Sequence, residues 1–225
     1  MIKACLFDLD GTLLDTLDSI KYYLNAALAR HGVPEVSREQ TRIFVGGGAK
    51  NLVFLAAHAG GVDTSTEEGE KLISLIHREY VLDYDSDAAY LTEAYEGIPK
   101  AIAALRALGV KLAVISNKPD STVGMLVEKI FGDTFDIVEG AKEGVPLKPN
   151  PESSLSICER LGVLPSETLY FGDTATDMIT AKRYGAYRAC GVLWGFRDRD
   201  ELVENGADEL LSHPSQIPSL IEKYS

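Results

Sequence analysis

Cysteine is scarce in this chain: Cys5, Cys158 and Cys190 are odd in number, widely spaced and form no C-x-x-C pair. That excludes a disulfide framework and a thiolate metal centre of the usual spacing, and leaves reduced, mostly buried thiols as the expectation. Long apolar runs are missing too. No segment approaches the ~20 apolar residues of a membrane span, and Asp8 and Asp10 interrupt the first apolar run too early for a signal peptide, so the cytoplasm is the expected compartment. Positive charge is in deficit, with 22 Lys and Arg against 34 Asp and Glu and a formal net charge of -12. This balance argues against nonspecific nucleic-acid binding and against an anionic membrane surface, and it means that an anionic substrate would need local positive groups. There is no internal repeat and no low-complexity tract. With 225 residues, 45% hydrophobic, the chain can hold one core with an insertion or two small domains.

What is present begins with Ile2 to Phe7, an apolar run that reads as a strand buried on both faces of a parallel sheet, although periodicity alone leaves a buried helix open. It runs into Asp8 and Asp10. Two residues apart on an extended backbone, these carboxylates start on one face, and Gly11 permits a sharp exit from the sheet. Both can ionise at low cost only with positive charge between them, and hard oxygen ligands of this kind suit magnesium. An Asx-rich turn is the alternative at this point. Position favours chemistry, because loops at the carboxyl ends of parallel strands are where such folds bind ligands.

Beyond Asp15 the pattern becomes helical. Ile20, Leu24, Ala27 and Leu28 recur at helical spacing up to Gly32, Ser37 with Gln40 reads as a capping box, and Thr66 to Tyr84 forms another amphipathic helix. Between them Gly46, Gly47 and Gly48 lead into a helix over Ala49 to Ala59. Free N–H groups there, with Lys50 close by, can receive an anion, or the segment is a plain flexible turn. Residues 16–91 therefore read as a small helical domain inserted into one loop, with Asp15 to Leu17 and Leu91 to Tyr95 as candidate hinges.

From Ile98 helices and strands alternate. Leu112 to Ile115 is a buried strand running into Ser116, Asn117, Lys118 and Pro119; Phe135 to Val138 is a third strand. Lys148 stands among Pro146, Pro149 and Pro151, a stiff loop that can present one ammonium as an anion clamp. Leu169 to Phe171 precedes a second acidic cluster, Asp173 and Asp177. Strands at Tyr187 to Val192 and Ala207 to Leu211, with helices near Asp200 to Asn205 and Ile217 to Lys223, complete the pattern. Alternation of this kind predicts an α/β fold, a three-layer Rossmann-like parallel sheet formed by residues 1–15 and 92–225, with right-handed crossovers. One sheet edge then carries Asp8, Asp10, Ser116, Lys148, Asp173 and Asp177, a set suited to phosphoryl transfer through a metal.

Four segments resemble, in order, the motifs of the haloacid-dehalogenase-like (HAD) hydrolases: Phe7-Asp8-Leu9-Asp10-Gly11-Thr12-Leu13, Ser116, Lys148, and Gly172-Asp173-Thr174-Ala175-Thr176-Asp177. The resemblance implies that Asp8 attacks phosphorus and becomes an aspartyl phosphate, and that Asp10 protonates the leaving oxygen and then deprotonates water. It implies a magnesium ion held by Asp8, the Asp10 carbonyl and Asp173, with Asp177 beside them. Ser116 would bind the phosphoryl group, with Thr12 and Asn117 nearby, and Lys148 would screen the repulsion between carboxylate and phosphate. The helical insertion falls where the family's C1 caps occur, which would make Gly47 and Lys50 substrate contacts. The segments Val45 to Gly48, Ser116 to Pro119 and Val192 to Arg197 look closest to phosphoglycolate phosphatases. The implied partner is a small phosphorylated metabolite handled by a monomer or weak homodimer. A phosphomutase of the β-phosphoglucomutase type, an inorganic pyrophosphatase and a noncatalytic phosphate-sensing module stay open as alternatives. The dehalogenase branch fits less well, since it needs neither magnesium nor an acid such as Asp10.

Overall fold

The computed structural model describes residues 1–224. In chain order, strands β1 (Ala4–Phe7) and β2 (Leu14–Asp15) precede helices α1 (Leu17–Arg30), α2 (Arg38–Phe44), α3 (Ala49–Ala59) and α4 (Glu67–Ser86). Then come β3 (Glu93–Ala94), α5 (Ile98–Ala107), β4 (Lys111–Pro119), α6 (Asp120–Phe131), β5 (Ile137–Ala141) and α7 (Glu152–Leu161). The remainder is β6 (Thr168–Gly172), α8 (Ala175–Tyr184), β7 (Arg188–Val192), α9 (Arg199–Glu204), β8 (Glu209–Leu211) and α10 (Ile217–Lys223). Two compact units result, one from Met1–Asp15 with the chain from Glu93 onward, the other from Thr16–Thr92.

The first unit is an α/β layer structure. Its six strands are all parallel, in the order β5-β4-β1-β6-β7-β8. Every residue of β1 is buried, as a central strand covered on both faces requires. Side chains alternate across the sheet: Ala4, Leu6, Ala113, Ile115 and Tyr170 pack with Ile157, Leu161, Met178 and Ala181 from α7 and α8 on one face. Their neighbours Cys5, Phe7, Leu112, Val114, Leu169 and Phe171 are buried on the other, the side on which α5 and α6 pack against β4. There Phe7 stacks on Phe171 with ring centroids 4.7 Å apart and meets Phe135 edge-on at 6.4 Å. The three cysteines are free and buried.

Strand order decides where a ligand can bind. From β1 the chain builds outward through β4 and β5, then returns to the other side of β1 for β6, β7 and β8. The reversal lies beside β1, and in open parallel sheets the crevice at such a reversal receives ligands.

Several strands differ from the sequence expectation: β5 covers Ile137–Ala141 rather than Phe135 to Val138, and β8 begins at Glu209 rather than Ala207. The second strand of the sheet does not stop at Ile115 but runs on to Pro119, so Ser116, Asn117 and Lys118 lie within β4. The short strands β2 and β3 pair as an antiparallel ribbon, Leu14 with Ala94 and Asp15 with Glu93. Two residues per strand carry no readable period, so the pattern gave no sign of it.

The second unit is four helices. Ile20, Leu24 and Leu28 of α1 are buried, as are Ile73, Ile76, Tyr80 and Tyr84 of α4, and these two helices pack together. Ser37 and Gln40 form the reciprocal capping box of α2, and Thr66 caps α4 by accepting from the Gly69 N–H. Among the described residues no helix is long and apolar enough to cross a membrane.

Candidate active site

Register places three strand ends side by side. Phe7 is level with Val114 of β4 and Phe171 of β6, and the Asp8 N–H donates to the Phe171 carbonyl at 2.9 Å. Residues following β1 and β6, and those late in β4, therefore open onto one edge. The chain leaves β1 through a tight turn in which the N–H groups of Thr12, Leu13 and Leu14 all point at the Leu9 carbonyl. Gly11 makes that turn with φ of +80°, and a Cβ on it would lie 2.1 Å from Asp173 Oδ2. Only glycine satisfies both conditions.

Asp173 is wrapped closely. Its Oδ2 accepts from the Phe196 N–H at 2.7 Å, and its Oδ1 faces the Thr12 hydroxyl at 3.5 Å. The Trp194 Nε1–H donates to the Thr12 carbonyl at 3.0 Å, tying the segment after β7 to the turn after β1.

Lys148 reaches the same place from its proline loop, where the Lys148–Pro149 peptide is cis. Asn117 holds the loop by its side-chain amide, which accepts from the Lys148 N–H at 2.8 Å and donates to the Lys148 carbonyl at 3.1 Å. The Lys148 ammonium lies 2.8 Å from Asp8 Oδ1 and 2.8 Å from Asp177 Oδ1. It also donates to the Ile115 carbonyl and the Tyr170 hydroxyl, each at 3.2 Å. Tyr170 in turn donates to Asp177 Oδ1 at 3.1 Å. The other Asp177 oxygen accepts from the Thr174 hydroxyl at 2.7 Å and the Thr174 N–H at 3.1 Å, the reciprocal capping box of α8.

Burial sets the electrostatics. Desolvation, then the Asp177 charge, pushes the Asp8 carboxyl up to about 7 against the pull of Lys148. Burial and the charges of Asp177 and Asp8 hold Asp173 well above the usual carboxylate range. For Lys148 burial acts to lower the pKa, but Asp177 and Asp8 outweigh it and keep the ammonium charged.

Asp8, Asp173 and Asp177 are all buried and each offers an oxygen within 4.8 Å of the others. Three carboxylates around one ammonium leave a negative surplus in a desolvated site. A hard divalent cation fits that surplus and that all-oxygen donor set.

The other residues singled out in the sequence divide into two groups. Asp10 pairs with Lys118, Nζ to Oδ1 2.9 Å, and its charge is among those that act on Asp8. Ser116 Oγ accepts from the Lys118 N–H at 3.2 Å. Both therefore lie at the same sheet edge as the acids. Gly47 and Lys50 belong to the four-helix unit, Gly47 just before α3 and Lys50, exposed, in its first turn.

Sequence reasoning missed Tyr170, Thr174 and Lys118. A hydroxyl in an otherwise apolar strand, two residues before Gly172, was the sign for Tyr170. The Thr-x-x-Asp spacing was the sign for Thr174, and period-two alternation with Ser116 the sign for Lys118.

Fold and site together define an α/β enzyme whose chemistry sits at the carboxyl edge of a parallel sheet, around buried acids and one buried ammonium. Comparison with known proteins makes this specific. The family model described as haloacid dehalogenase-like hydrolase matches residues 2–185. The N-acetylmuramic acid 6-phosphate phosphatase of Pseudomonas aeruginosa is 30% identical over 99% of this chain and 96% of its own length. The phosphoglycolate phosphatase of Nitrosospira multiformis is 31% identical over 100% and 97%. Among solved structures, a predicted phosphoglycolate phosphatase from Haemophilus somnus 129PT has the same fold, with a TM-score of 0.90 at 24% identity over 98% of both chains. CbbY from Rhodobacter sphaeroides, solved with phosphate, gives 0.77 at 25% identity over 96% of both. The chain belongs to the haloacid dehalogenase-like hydrolases, and within them it is a phosphatase of the phosphoglycolate phosphatase-like group.

Proposed function

We propose that this protein is a magnesium-dependent phosphatase that hydrolyses a small, phosphoglycolate-like phosphate monoester through an aspartyl phosphate on Asp8. The observation that carries the reading is the Lys148 ammonium lying 2.8 Å from both Asp8 and Asp177, with the Asp173 oxygen in the same buried cluster. A nucleophilic carboxylate needs an escort cation to approach a phosphate dianion, and Lys148 supplies one.

In this reading the Asp8 carboxylate oxygen attacks phosphorus in line with the ester oxygen. The bond to the leaving alcohol breaks as Asp10 gives that oxygen its proton. Asp10, now a carboxylate, takes a proton from water as the water attacks phosphorus. The bond to Asp8 then breaks, inorganic phosphate leaves, and Asp8 is restored. Ser116 binds an equatorial oxygen at the end of the sheet, Asn117 keeps Lys148 in place, and Thr12 steadies Asp173. Asp8, Asp173 and the Asp10 carbonyl, with Asp177 behind them, would hold magnesium, which when bound supplies positive charge to the phosphoryl oxygens. The unit Thr16–Thr92 is read as a C1-type cap, with Gly47 and Lys50 as its candidate substrate contacts.

A substrate panel with magnesium tests this directly. Phosphate release from 2-phosphoglycolate and from a generic ester is expected, with loss of turnover in excess chelator. Isomerised sugar phosphate from a hexose 1-phosphate, or preference for pyrophosphate, would replace the hydrolase reading with one of its rivals.

A further inference from the structure

Lys118 takes no part in the steps above, yet its side chain is only 6% exposed and its ammonium lies 2.9 Å from Asp10 Oδ1. Its own N–H is fixed on Ser116 Oγ at 3.2 Å, so the lysine is anchored beside the residue read as holding the phosphoryl group. The two buried ammonium groups of this edge thus serve different acids. Lys148 pairs with Asp8, read as the nucleophile, and Lys118 pairs with Asp10, read as the leaving-group acid.

Distance limits what Lys118 can touch. If Asp10 delivers a proton to the leaving oxygen, that oxygen must come within hydrogen-bond reach of the Asp10 carboxyl. An ammonium bonded to the same carboxyl then lies within roughly 6 Å of the leaving oxygen when both meet one carboxyl oxygen, and within roughly 8 Å when they meet different ones. An anionic group one carbon beyond the ester oxygen falls inside that radius. A protein with a net charge of -12 needs such a local cation to accept a substrate carrying a second negative group.

We propose that Lys118 determines specificity by receiving a carboxylate borne on the carbon next to the phosphoester oxygen, so that the favoured substrates are short 2-phosphooxy carboxylates. This rests on the reading of Asp10 as the leaving-group acid. Substrates whose acid group is a sugar ring away from the phosphate gain nothing from it.

The test uses two esters of equal chain length, 2-phosphoglycolate and 2-hydroxyethyl phosphate, at fixed magnesium, with thermal melting as the folding control. Wild-type protein is expected to favour phosphoglycolate in kcat/KM by roughly ten- to a hundredfold, the range for a charge-assisted hydrogen bond. Lys118→Met is expected to erase that preference through a higher KM for phosphoglycolate, and Lys118→Arg to keep most of it. Any common loss from removing Asp10's partner cancels in the ratio. A preference left intact in Lys118→Met, with both esters slowed equally, would make the lysine a structural partner of Asp10 and overturn the inference. So would a wild type that turns over both esters without preference, a result that needs no variant. A wild type inactive on both would instead bring down the phosphatase reading itself.

Discussion

Asp8 is buried beside an ammonium and two further carboxylates, and its proton affinity records that position. Burial and Asp177 raise its pKa to about 7 in the metal-free protein, whereas in an unfolded chain it titrates near 4. A carboxyl whose folded pKa is raised binds its proton more tightly when folded, so its stabilising contribution is full below about pH 4 and is lost as pH rises toward 7. Asp8→Asn cannot ionise and escapes this loss. In excess chelator the variant's melting temperature is therefore expected to gain on wild type between about pH 4 and pH 7, then level off. With magnesium the order should reverse, because the carboxylate then has a cation that an amide holds poorly. A gap that does not change with pH would mean that Asp8 is not the strained acid of the cluster. The convergence of Asp8, Lys148, Asp173 and Asp177 was legible in the sequence because each follows a buried strand or stands in a stiff loop. The pairing of Asp10 with Lys118 was not, since it depends on how far β4 continues.

Among the elements, α8 shows how a helix start becomes part of a site. Thr174 caps the helix and at the same time binds Asp177 Oδ2, leaving Oδ1 for Lys148 and Tyr170. Gly172 lets the helix begin this close, because a Cβ there would lie 2.2 Å from Asp177 Cβ. Thr174→Ala removes the cap acceptor and the Asp177 partner together. We expect a loss of about 1 kcal/mol in urea unfolding, a typical N-cap value, and a fall in kcat larger than the change in KM as Lys148 loses its fixed counterion. Thr174→Ser should restore both. Normal turnover in the alanine variant would show that Lys148 does not need an ordered Asp177. Helix positions were the easiest elements to read, since α10 and the Ser37 capping box carry local signals. The extension of β4 was harder. Ser116, Asn117 and Lys118 are poor strand formers, and they lie where the pairing of β4 with β5 is irregular, between Ile115 and Pro119, with Asn117 bound to the Lys148 loop.

At the scale of the whole molecule, a sheet that reverses direction beside β1 gathers groups from four distant parts of the chain at one edge. The parallel α/β class was legible from buried apolar runs alternating with helices, and membership of the hydrolase family follows from motifs that fall at successive strand ends. The ribbon formed by β2 and β3 was invisible, because a two-residue strand owes its pairing to the elements around it. Against a net charge of -12, the ammonium groups of Lys148 and Lys118 place positive charge at the edge where the acids meet. Covalent chemistry at the Asp8 carboxylate is open to direct trapping. Protein quenched in acid during steady-state turnover, reduced with borohydride and mapped by mass spectrometry should carry homoserine at position 8, the product of reducing an aspartyl phosphate. Brisk turnover with position 8 unmodified, or modification at Asp10 or Asp173 instead, would rule out Asp8 as the nucleophile.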